Sequence, residues 1–382
     1  MITLKYRPEI DGLRAFAVLA VIGFHYFPAI IGGGFVGVDV FFVISGYLIS
    51  SIIYKNLDLH CFNFLIFYQH RIRRIYPALI LVIGCSLMAG SFLLFPDELA
   101  YLGKHILGGT LFISNIVLWN ESGYFDKITQ TKILMHLWSL GVEEQFYLLW
   151  PIILTFIWKT EKRLAVIALL CSISFAYCIL RTYTFPATAF FSPLSRFWEL
   201  GAGGIIAYLE LYKTIPFKSH TASINLQISI LIGLLLIGPI LFFNEAMKFP
   251  GFIVLLPVFG SILILRLAMQ KDLFITKILS TKGLVYLGKI SYPLYLWHWP
   301  ILSFMFILEG EHIPVFWKFS GIFFTFMLSA ATYSLVEQPL RRGSFRNAVA
   351  LWLLTCSLIL GIYGAFIYHP DSYLDLISGK TL

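Results

Sequence analysis

Three arginines lie within the stretch HRIRRIYP, residues 70–77, next to two strongly apolar stretches of the chain. They are Arg71, Arg73 and Arg74, and each guanidinium group can bind phosphate or carboxylate oxygens through two parallel hydrogen bonds. One interpretation is a topological signal that keeps this part of the chain in the cytoplasm. The other is a binding site for a strongly anionic ligand. The choice depends on which other reactive side chains the protein carries.

A histidine and an arginine share the first apolar stretch. His25 follows Arg14 by eleven residues, which in a helix is about 16 Å along the axis and close to three turns, so both side chains lie on one face. Ionisable side chains are costly within a bilayer and are candidates for function. His25 is therefore a candidate catalytic residue, although a packed or interfacial histidine fits the same pattern.

Carboxylates occur in two further apolar stretches. Asp39 lies near the start of the second stretch, and Glu143 and Glu144 lie within HLWSLGVEEQFYLLWP. Adjacent side chains of a helix point about 100° apart, so at most one of the two glutamates faces any one site. Carboxylates, a histidine and a basic cluster fit two chemistries: a proton-coupled transporter, or a transferase that holds a phosphorylated donor.

Two later stretches also carry polar residues. His298 stands between two tryptophans in ISYPLYLWHWP, which also contains Tyr292 and Tyr295. Tryptophans gather at membrane interfaces, so an interfacial belt is one interpretation of this histidine. Glu337 precedes a pair of arginines in SLVEQPLRR, and that pair alone would be read as a topology signal.

The composition is typical of an integral membrane protein. Of the 382 residues, 59% are hydrophobic and 13% are charged, whereas soluble domains carry about 25% charged residues. The basic residues fall between apolar stretches, so the net charge of +8 is assigned to membrane orientation and not to nucleic acid. The five cysteines lack the paired spacing of metal ligands, and no metal site is predicted.

Apolar runs of about 20 residues predict helices that cross the membrane. Eleven runs meet this pattern, at about 13–30, 35–54, 75–95, 137–158, 164–182, 197–210, 226–243, 251–269, 290–308, 316–335 and 348–368. The stretch 101–119 has only a short apolar core and is predicted to form a re-entrant segment.

This assignment fixes the predicted orientation and the domains. It places most lysines and arginines on the side of the N-terminus, which the positive-inside rule assigns to the cytoplasm. The predicted fold is an all-α integral membrane protein. Residues 1–346 form a ten-helix transmembrane domain, and residues 347–382 form an eleventh transmembrane helix with a short extracytoplasmic tail.

Seven motifs, in chain order, resemble the acyltransferase-3 family of integral membrane enzymes. They are RPEIDGLRAFAVLAVIGFHY, GFVGVDVFFVISGYLI, FYQHRIRRIYPAL, HLWSLGVEEQFYLLWP, RFWELGAGG, ISYPLYLWHWP and VEQPLRR. The resemblance covers residues 6–342. It implies a bacterial inner-membrane O-acyltransferase that carries an acyl group, usually acetyl, from cytoplasmic acyl-CoA to a hydroxyl of an extracytoplasmic glycan. Among the acceptors, lipopolysaccharide O-antigen or capsule is favoured over peptidoglycan.

The resemblance assigns Arg14, Arg71, Arg73 and Arg74 to the donor site. Coenzyme A carries a pyrophosphate and a 3′-phosphate, which arginine forks match well. One or two lysines would satisfy a topology signal, so three arginines favour the donor site. Arg71 and Arg74 share a face if the segment is helical, and Arg73 points elsewhere.

The resemblance also makes His25 the catalytic residue. In one mechanism His25 is the general base on the acceptor hydroxyl, and Glu143 or Glu144 orients its ring. In the other, an acyl-histidine forms and the transfer takes two steps. Asp39 is a further catalytic candidate.

The acceptor side is predicted to include Tyr292, Tyr295, His298 and Glu337. Many family members carry an SGNH-hydrolase-like domain after the eleventh helix, and this sequence ends without one. A separate SGNH-type partner protein, a stand-alone enzyme and a shortened chain all stay open. Two other functions also stay open, namely a transporter or flippase with a His/Glu relay and a non-catalytic envelope protein.

Overall fold

The computed structural model describes residues 5–123, 128–213, 222–267, 273–342 and 346–369. Within these ranges the chain is helical and contains no strand. Seven of the described helices are long and apolar enough to cross a membrane, and the protein is an all-α integral membrane protein, as predicted. The predicted tail, residues 370–382, lies outside the described residues.

Seventeen α-helices lie within the described ranges. In chain order they are α1 Pro8–Tyr26, α2 Gly37–Asp58, α3 Phe64–Leu93, α4 Pro96–Thr110, α5 Ser114–Glu121, α6 Leu137–Ile157, α7 Arg163–Thr184, α8 Pro186–Phe191 and α9 Pro193–Tyr212. They continue with α10 Ala222–Phe242, α11 Leu255–Leu267, α12 Phe274–Leu279, α13 Lys282–Lys289, α14 Ser291–Glu309, α15 Val315–Ala331, α16 Gln338–Arg342 and α17 Arg346–Tyr368. Short 3₁₀ turns occur at Gly34–Val36 and Thr129–Thr131, and a π-helical turn at Thr332–Glu337 joins α15 to α16.

The chain forms two compact units. Unit 1 consists of Met1–Asn63 and Glu143–Ser291, and unit 2 consists of Phe64–Val142 and Tyr292–Leu382. Each unit therefore combines an earlier and a later part of the chain. The domain boundary predicted after residue 346 stays a prediction.

Each of the eleven predicted spans coincides with a helix, and the largest difference concerns α3. This helix begins at Phe64, well before the predicted start at residue 75. The basic stretch 70–77 therefore lies inside α3 and is helical. The opposite difference occurs in α11, which covers only Leu255–Leu267.

The stretch 101–119 is not one continuous helix. Helix α4 begins at Pro96, whose fixed φ suits a first turn, and the Glu98 carboxylate accepts a hydrogen bond from the Phe95 N–H at 3.0 Å. The chain turns at Phe112, which has a φ of 55°, before α5 starts. These two short helices agree with the prediction that this stretch does not form a single span, and re-entry itself stays a prediction.

A salt-bridge cluster ties the two short helices together. Lys104 Nζ lies 2.8 Å from a carboxylate oxygen of Glu121, and Lys132 Nζ lies 3.3 Å from the other oxygen. Burial alone would raise the pKa of Glu121, but the hydrogen bond and charge of His105, followed by Lys104, hold that pKa below its usual value.

In unit 1, α2 and α9 cross in backbone contact. A Cβ atom added at Gly46 would overlap the carbonyl oxygen of Leu200, and one added at Gly203 would overlap the carbonyl oxygen of Val43. Small residues let membrane helices approach closely. Van der Waals packing then stabilises the pair, because the hydrophobic effect does not favour association of helices within lipid. This crossing fixes α2, which carries Asp39, against α9.

Arg7 anchors the start of α1, the helix that carries Arg14 and His25. Its guanidinium donates to the Tyr47 hydroxyl at 2.6 Å and to the Leu265 carbonyl at 2.7 Å. It also contacts the carboxylates of Glu9 and Glu210 at 2.7 and 3.3 Å. Four elements of unit 1 are thereby joined at one end of α1.

We expect Gly46→Ala to destabilise the protein by about 1–3 kcal/mol or more, because the added methyl group overlaps backbone. The measurement is the thermal unfolding midpoint of the purified protein in detergent. Gly233→Ala in α10 is the matched control, because nothing lies within 4 Å of its added Cβ. Equal midpoints for the two variants would contradict the crossing.

Candidate functional site

A basic cavity of about 290 Å³ lies within unit 2. Within the described part of the chain, its charged lining side chains are arginines, and no carboxylate lines it. A concave site with one sign of charge focuses the field and attracts a polyanion. We call it the arginine cavity, and its lining residues are His70, Arg71, Arg73, Arg74, Tyr333, Gln338 and Arg341.

The three arginines of α3 do not have equivalent surroundings. Arg71 and Arg74 are half-buried and three residues apart on one face of the helix. Arg73 is only 4% exposed, and its Nε and Nη2 donate to the Leu340 carbonyl at 3.1 and 2.9 Å. Its Nη2 also donates to the Arg341 carbonyl at 2.7 Å. Arg73 therefore satisfies carbonyl groups at the C-terminal end of α16, which have no partner within the helix.

The far wall of the cavity comes from the π-helical turn and α16. Trp297 Nε1 donates to the Thr332 hydroxyl at 2.9 Å and fixes the start of the turn. Glu337, at its end, is buried and lies 2.8 Å from Arg341 Nη1. π-Helical turns are rare and frequently occur at functional sites.

Three of the four residues predicted for the acceptor side, Tyr292, Tyr295 and His298, lie in α14 and make internal hydrogen bonds in unit 2. The Tyr292 hydroxyl donates to the Ile75 carbonyl at 2.8 Å, next to the arginines of α3. The Tyr295 hydroxyl donates to the His136 carbonyl at 2.8 Å and shares a 2.6 Å hydrogen bond with the Ser139 hydroxyl. These contacts give both tyrosines a part in holding α14.

His298 is fully buried in the same helix. Its Nδ1 lies 2.6 Å from the Tyr295 carbonyl, and its ring centroid lies 5.8 Å from that of His136. This side chain packs inside unit 2, with its ring nitrogen against the preceding helical turn, and its part in binding the acceptor stays a prediction.

His25 and Arg14 lie in unit 1, on α1. Both side chains are half-buried, as expected for one face of the helix. The His25 ring centroid lies 5.0 Å from that of Phe24, and Arg14 Nη1 lies 3.8 Å from an Asp11 carboxylate oxygen. A half-buried imidazole can still exchange a proton with a group that approaches it.

The two adjacent glutamates of α6 have different surroundings. One carboxylate oxygen of Glu143 accepts hydrogen bonds from the hydroxyls of Ser45 and Tyr147. Glu144 is half-buried on a different side of the helix. Glu143 thus links α2 to α6 within unit 1.

Asp39 belongs to a buried ion triad. Arg196 Nη1 lies 2.9 Å from Asp39 Oδ1 and 2.8 Å from Glu199 Oε1, and all three side chains are at most 1% exposed. The guanidinium carbon also lies 5.3 Å from the Phe249 ring centroid and 5.7 Å from that of Phe190. The triad gives Asp39 a role in holding Arg196, so we assign it no reaction step.

Several of these groups were missed by sequence reasoning. Arg196 has a local signal, because it precedes Glu199 by one helical turn. Gln338 and Arg341 lie in the motif VEQPLRR, whose arginine pair suggested only a topology signal. Tyr333 has no local signal, since a π-helical turn leaves no clear pattern in the sequence.

The fold and the arginine cavity define a helical membrane protein with a concave, arginine-lined cavity. A family model described as an acyltransferase domain matches residues 7–369. The chain belongs to the acyltransferase-3 family, which confirms the class predicted from the seven motifs.

Relatives with assigned names are longer than this chain. The O-acetyltransferase OatA of Staphylococcus aureus is 31% identical over 367 residues, which cover 91% of this chain and 59% of that protein. The peptidoglycan O-acetyltransferase OatA of Listeria monocytogenes is 33% identical over 363 residues, covering 90% and 57%. The chain thus spans less than two thirds of their length. No significant match to a solved structure was found.

The ion triad predicts an unequal response to substitution. One guanidinium neutralises one carboxylate, so the triad carries a buried net negative charge unless one acid holds a proton. We therefore expect Asp39→Asn and Glu199→Gln to be tolerated singly, and Arg196→Gln to cost about 3–5 kcal/mol. The double variant Asp39→Asn/Glu199→Gln should also be unstable, because it leaves Arg196 buried without a counter-charge.

The measurement is the thermal unfolding midpoint of the four variants in detergent. Equal losses of unfolding midpoint for Glu199→Gln and Arg196→Gln would contradict the expected difference between removing one of two carboxylates and removing the only guanidinium of the triad.

Proposed function

We propose that this protein transfers an acetyl group from acetyl-CoA to a hydroxyl of a cell-envelope glycan, in the bacterial inner membrane with a cytoplasmic N-terminus. The observation that carries the proposal is the arginine cavity, in a chain that belongs to an acyltransferase family. The family favours an enzyme over the transporter alternative, and it agrees with the O-acetyltransferase names of the relatives.

The arginine cavity fits the nucleotide end of the donor. Arg71 and Arg74 share one helix face and line the cavity, so their forks can bind phosphate oxygens of coenzyme A. Arg73 has most of its donors engaged by carbonyl groups. We therefore propose that Arg73 affects donor binding indirectly, by positioning α16. It is then no direct ligand of the donor, unlike the role expected for it from the sequence.

In the proposed reaction, His25 accepts the proton of the acceptor hydroxyl as the hydroxyl oxygen attacks the thioester carbonyl. The carbon–sulfur bond breaks, the coenzyme A thiolate leaves, and His25 passes the proton to it. Glu143 is engaged by two hydroxyls, so we assign Glu144 to orient the imidazole. A two-step route through an acyl-histidine uses the same residue.

For the acceptor, the relatives favour peptidoglycan over the O-antigen or capsule expected from the sequence. The Listeria relative is named a peptidoglycan O-acetyltransferase, and nothing observed supports lipopolysaccharide. We therefore propose peptidoglycan, or its membrane-bound precursor, as the acceptor. A separate SGNH-type partner protein, a stand-alone enzyme and a shortened chain all stay open.

Neighbouring arginines of α3 are expected to respond differently to substitution. Arg74→Gln should weaken coenzyme A binding about tenfold or more, since a hydrogen bond to a charged group contributes about 1.5–3 kcal/mol, while the unfolding midpoint stays unchanged. Arg73→Gln should lower the midpoint, because it removes the guanidinium donors from two backbone carbonyls at the end of α16. Titration calorimetry in nanodiscs and thermal unfolding give the two readouts.

Lys162→Gln, at an exposed position, controls for the loss of one positive charge. Coenzyme A binding by Arg74→Gln that equals the unaltered protein would contradict the donor site.

His25→Ala should abolish acetyl transfer while coenzyme A affinity stays within about twofold. The measurement follows radiolabelled acetyl groups from acetyl-CoA into peptidoglycan and, in parallel, into lipopolysaccharide. His312→Ala, at an exposed position between α14 and α15, is the matched control.

Normal turnover by His25→Ala would overturn the mechanism. Label found in lipopolysaccharide but not in peptidoglycan would overturn the proposed acceptor.

A further inference from the structure

The arginine cavity contains a fourth arginine that lies far from the basic motif in sequence. Arg341 lies in α16, lines the cavity and has a side chain that is 43% exposed. Its Nη1 is 2.8 Å from Glu337 Oε1, and Glu337 itself is only 4% exposed. A solvent-accessible cation is therefore paired with a buried carboxylate.

The π-helical turn explains why this wall faces the cavity. In a regular α-helix, side chains five residues apart point about 140° away from each other. A π-helical turn closes with bonds between residues five apart, which brings such side chains onto one side. Tyr333 and Gln338 are related in this way, and both line the cavity with Arg341.

A comparison of the phosphate groups of coenzyme A with the arginines of the cavity points to a ligand for Arg341. The nucleotide end of coenzyme A has three phosphate groups, two in the pyrophosphate and one at the 3′ position. Arg73 is occupied by two backbone carbonyls, whereas Arg71 and Arg74 line the cavity from α3. Arg341 contacts Glu337 through one nitrogen, and an arginine presents five N–H donors, so donors remain for a phosphate.

Glu337 opposes the same interaction. Its Oε2 has no hydrogen-bond partner within the described part of the chain, so the contact with Arg341 is its main stabilisation. A phosphate that draws the guanidinium toward the cavity weakens that contact. The carboxylate also repels an anion close by.

We propose that Arg341 binds a phosphate of the donor's nucleotide end and that Glu337 competes with this phosphate for Arg341. The inference rests on the proposed function, because it assigns further residues to the same donor site. Glu337 then sets donor affinity, and this replaces the acceptor contact expected for it from the sequence. A pair of this kind lets coenzyme A leave more readily after transfer.

The test is coenzyme A binding to the protein in nanodiscs by titration calorimetry. Arg341→Gln should weaken binding about tenfold or more, and Glu337→Gln should tighten it about three- to tenfold. The double variant should bind like Arg341→Gln alone, because the effect of Glu337 acts through Arg341. Lys162→Gln should bind like the unaltered protein.

Two results would overturn the inference: unchanged affinity in Arg341→Gln, or tightening by Glu337→Gln that persists when Arg341 is also replaced. If Arg341→Gln fails to fold, Arg341→Lys keeps the charge but loses the fork, and should still weaken binding. Failure of the unaltered protein to bind coenzyme A would overturn the proposed function itself. Binding that depends on Arg74 but not on Arg341 would overturn only this inference.

Discussion

The hydrocarbon core of a membrane contains no water that could hydrogen-bond polar groups, so each buried donor, acceptor or charge needs a partner within the protein. This constraint organises both units. In unit 1, Arg196 is held by two carboxylates and the hydroxyls of Ser45 and Tyr147 meet Glu143. In unit 2, Arg73 binds the carbonyls at the end of α16. These polar side chains are engaged by the fold, and they are poor candidates for chemistry.

The surroundings of the remaining polar groups differ in how far they are exposed. Arg71 and Arg74 on α3 and Arg341 on the opposite wall all reach the surface of the arginine cavity. On α1, His25 is only half-buried, in contrast to the fully buried His298. Residue type alone does not separate these two histidines, whereas their surroundings do, and this supports His25 as the proton acceptor.

Much of the fold could be predicted because membrane helices have a strong and local signal. A run of about 20 apolar residues defines a helix without reference to the rest of the chain, and the glycines and polar residues of 101–119 marked the break before α5. The partners of buried charges could not be predicted in this way. Asp39 and Arg196 are separated by 157 positions, so only the folded structure brings them together. The same applies to Arg73, whose partners in α16 lie more than 260 positions away.

Arg73 and Arg341 have different roles, but a hydrogen bond to the backbone links them. Arg73 donates to the carbonyl of Arg341 at 2.7 Å, so an arginine committed to the fold fixes the residue whose side chain faces the cavity. An altered Arg73 would move the backbone of α16 and change donor affinity without having contacted the donor. Loss of binding on its replacement therefore does not make it a ligand. The distinguishing property is stability, because a group that satisfies backbone carbonyls at a helix end contributes to folding whether or not the donor is bound.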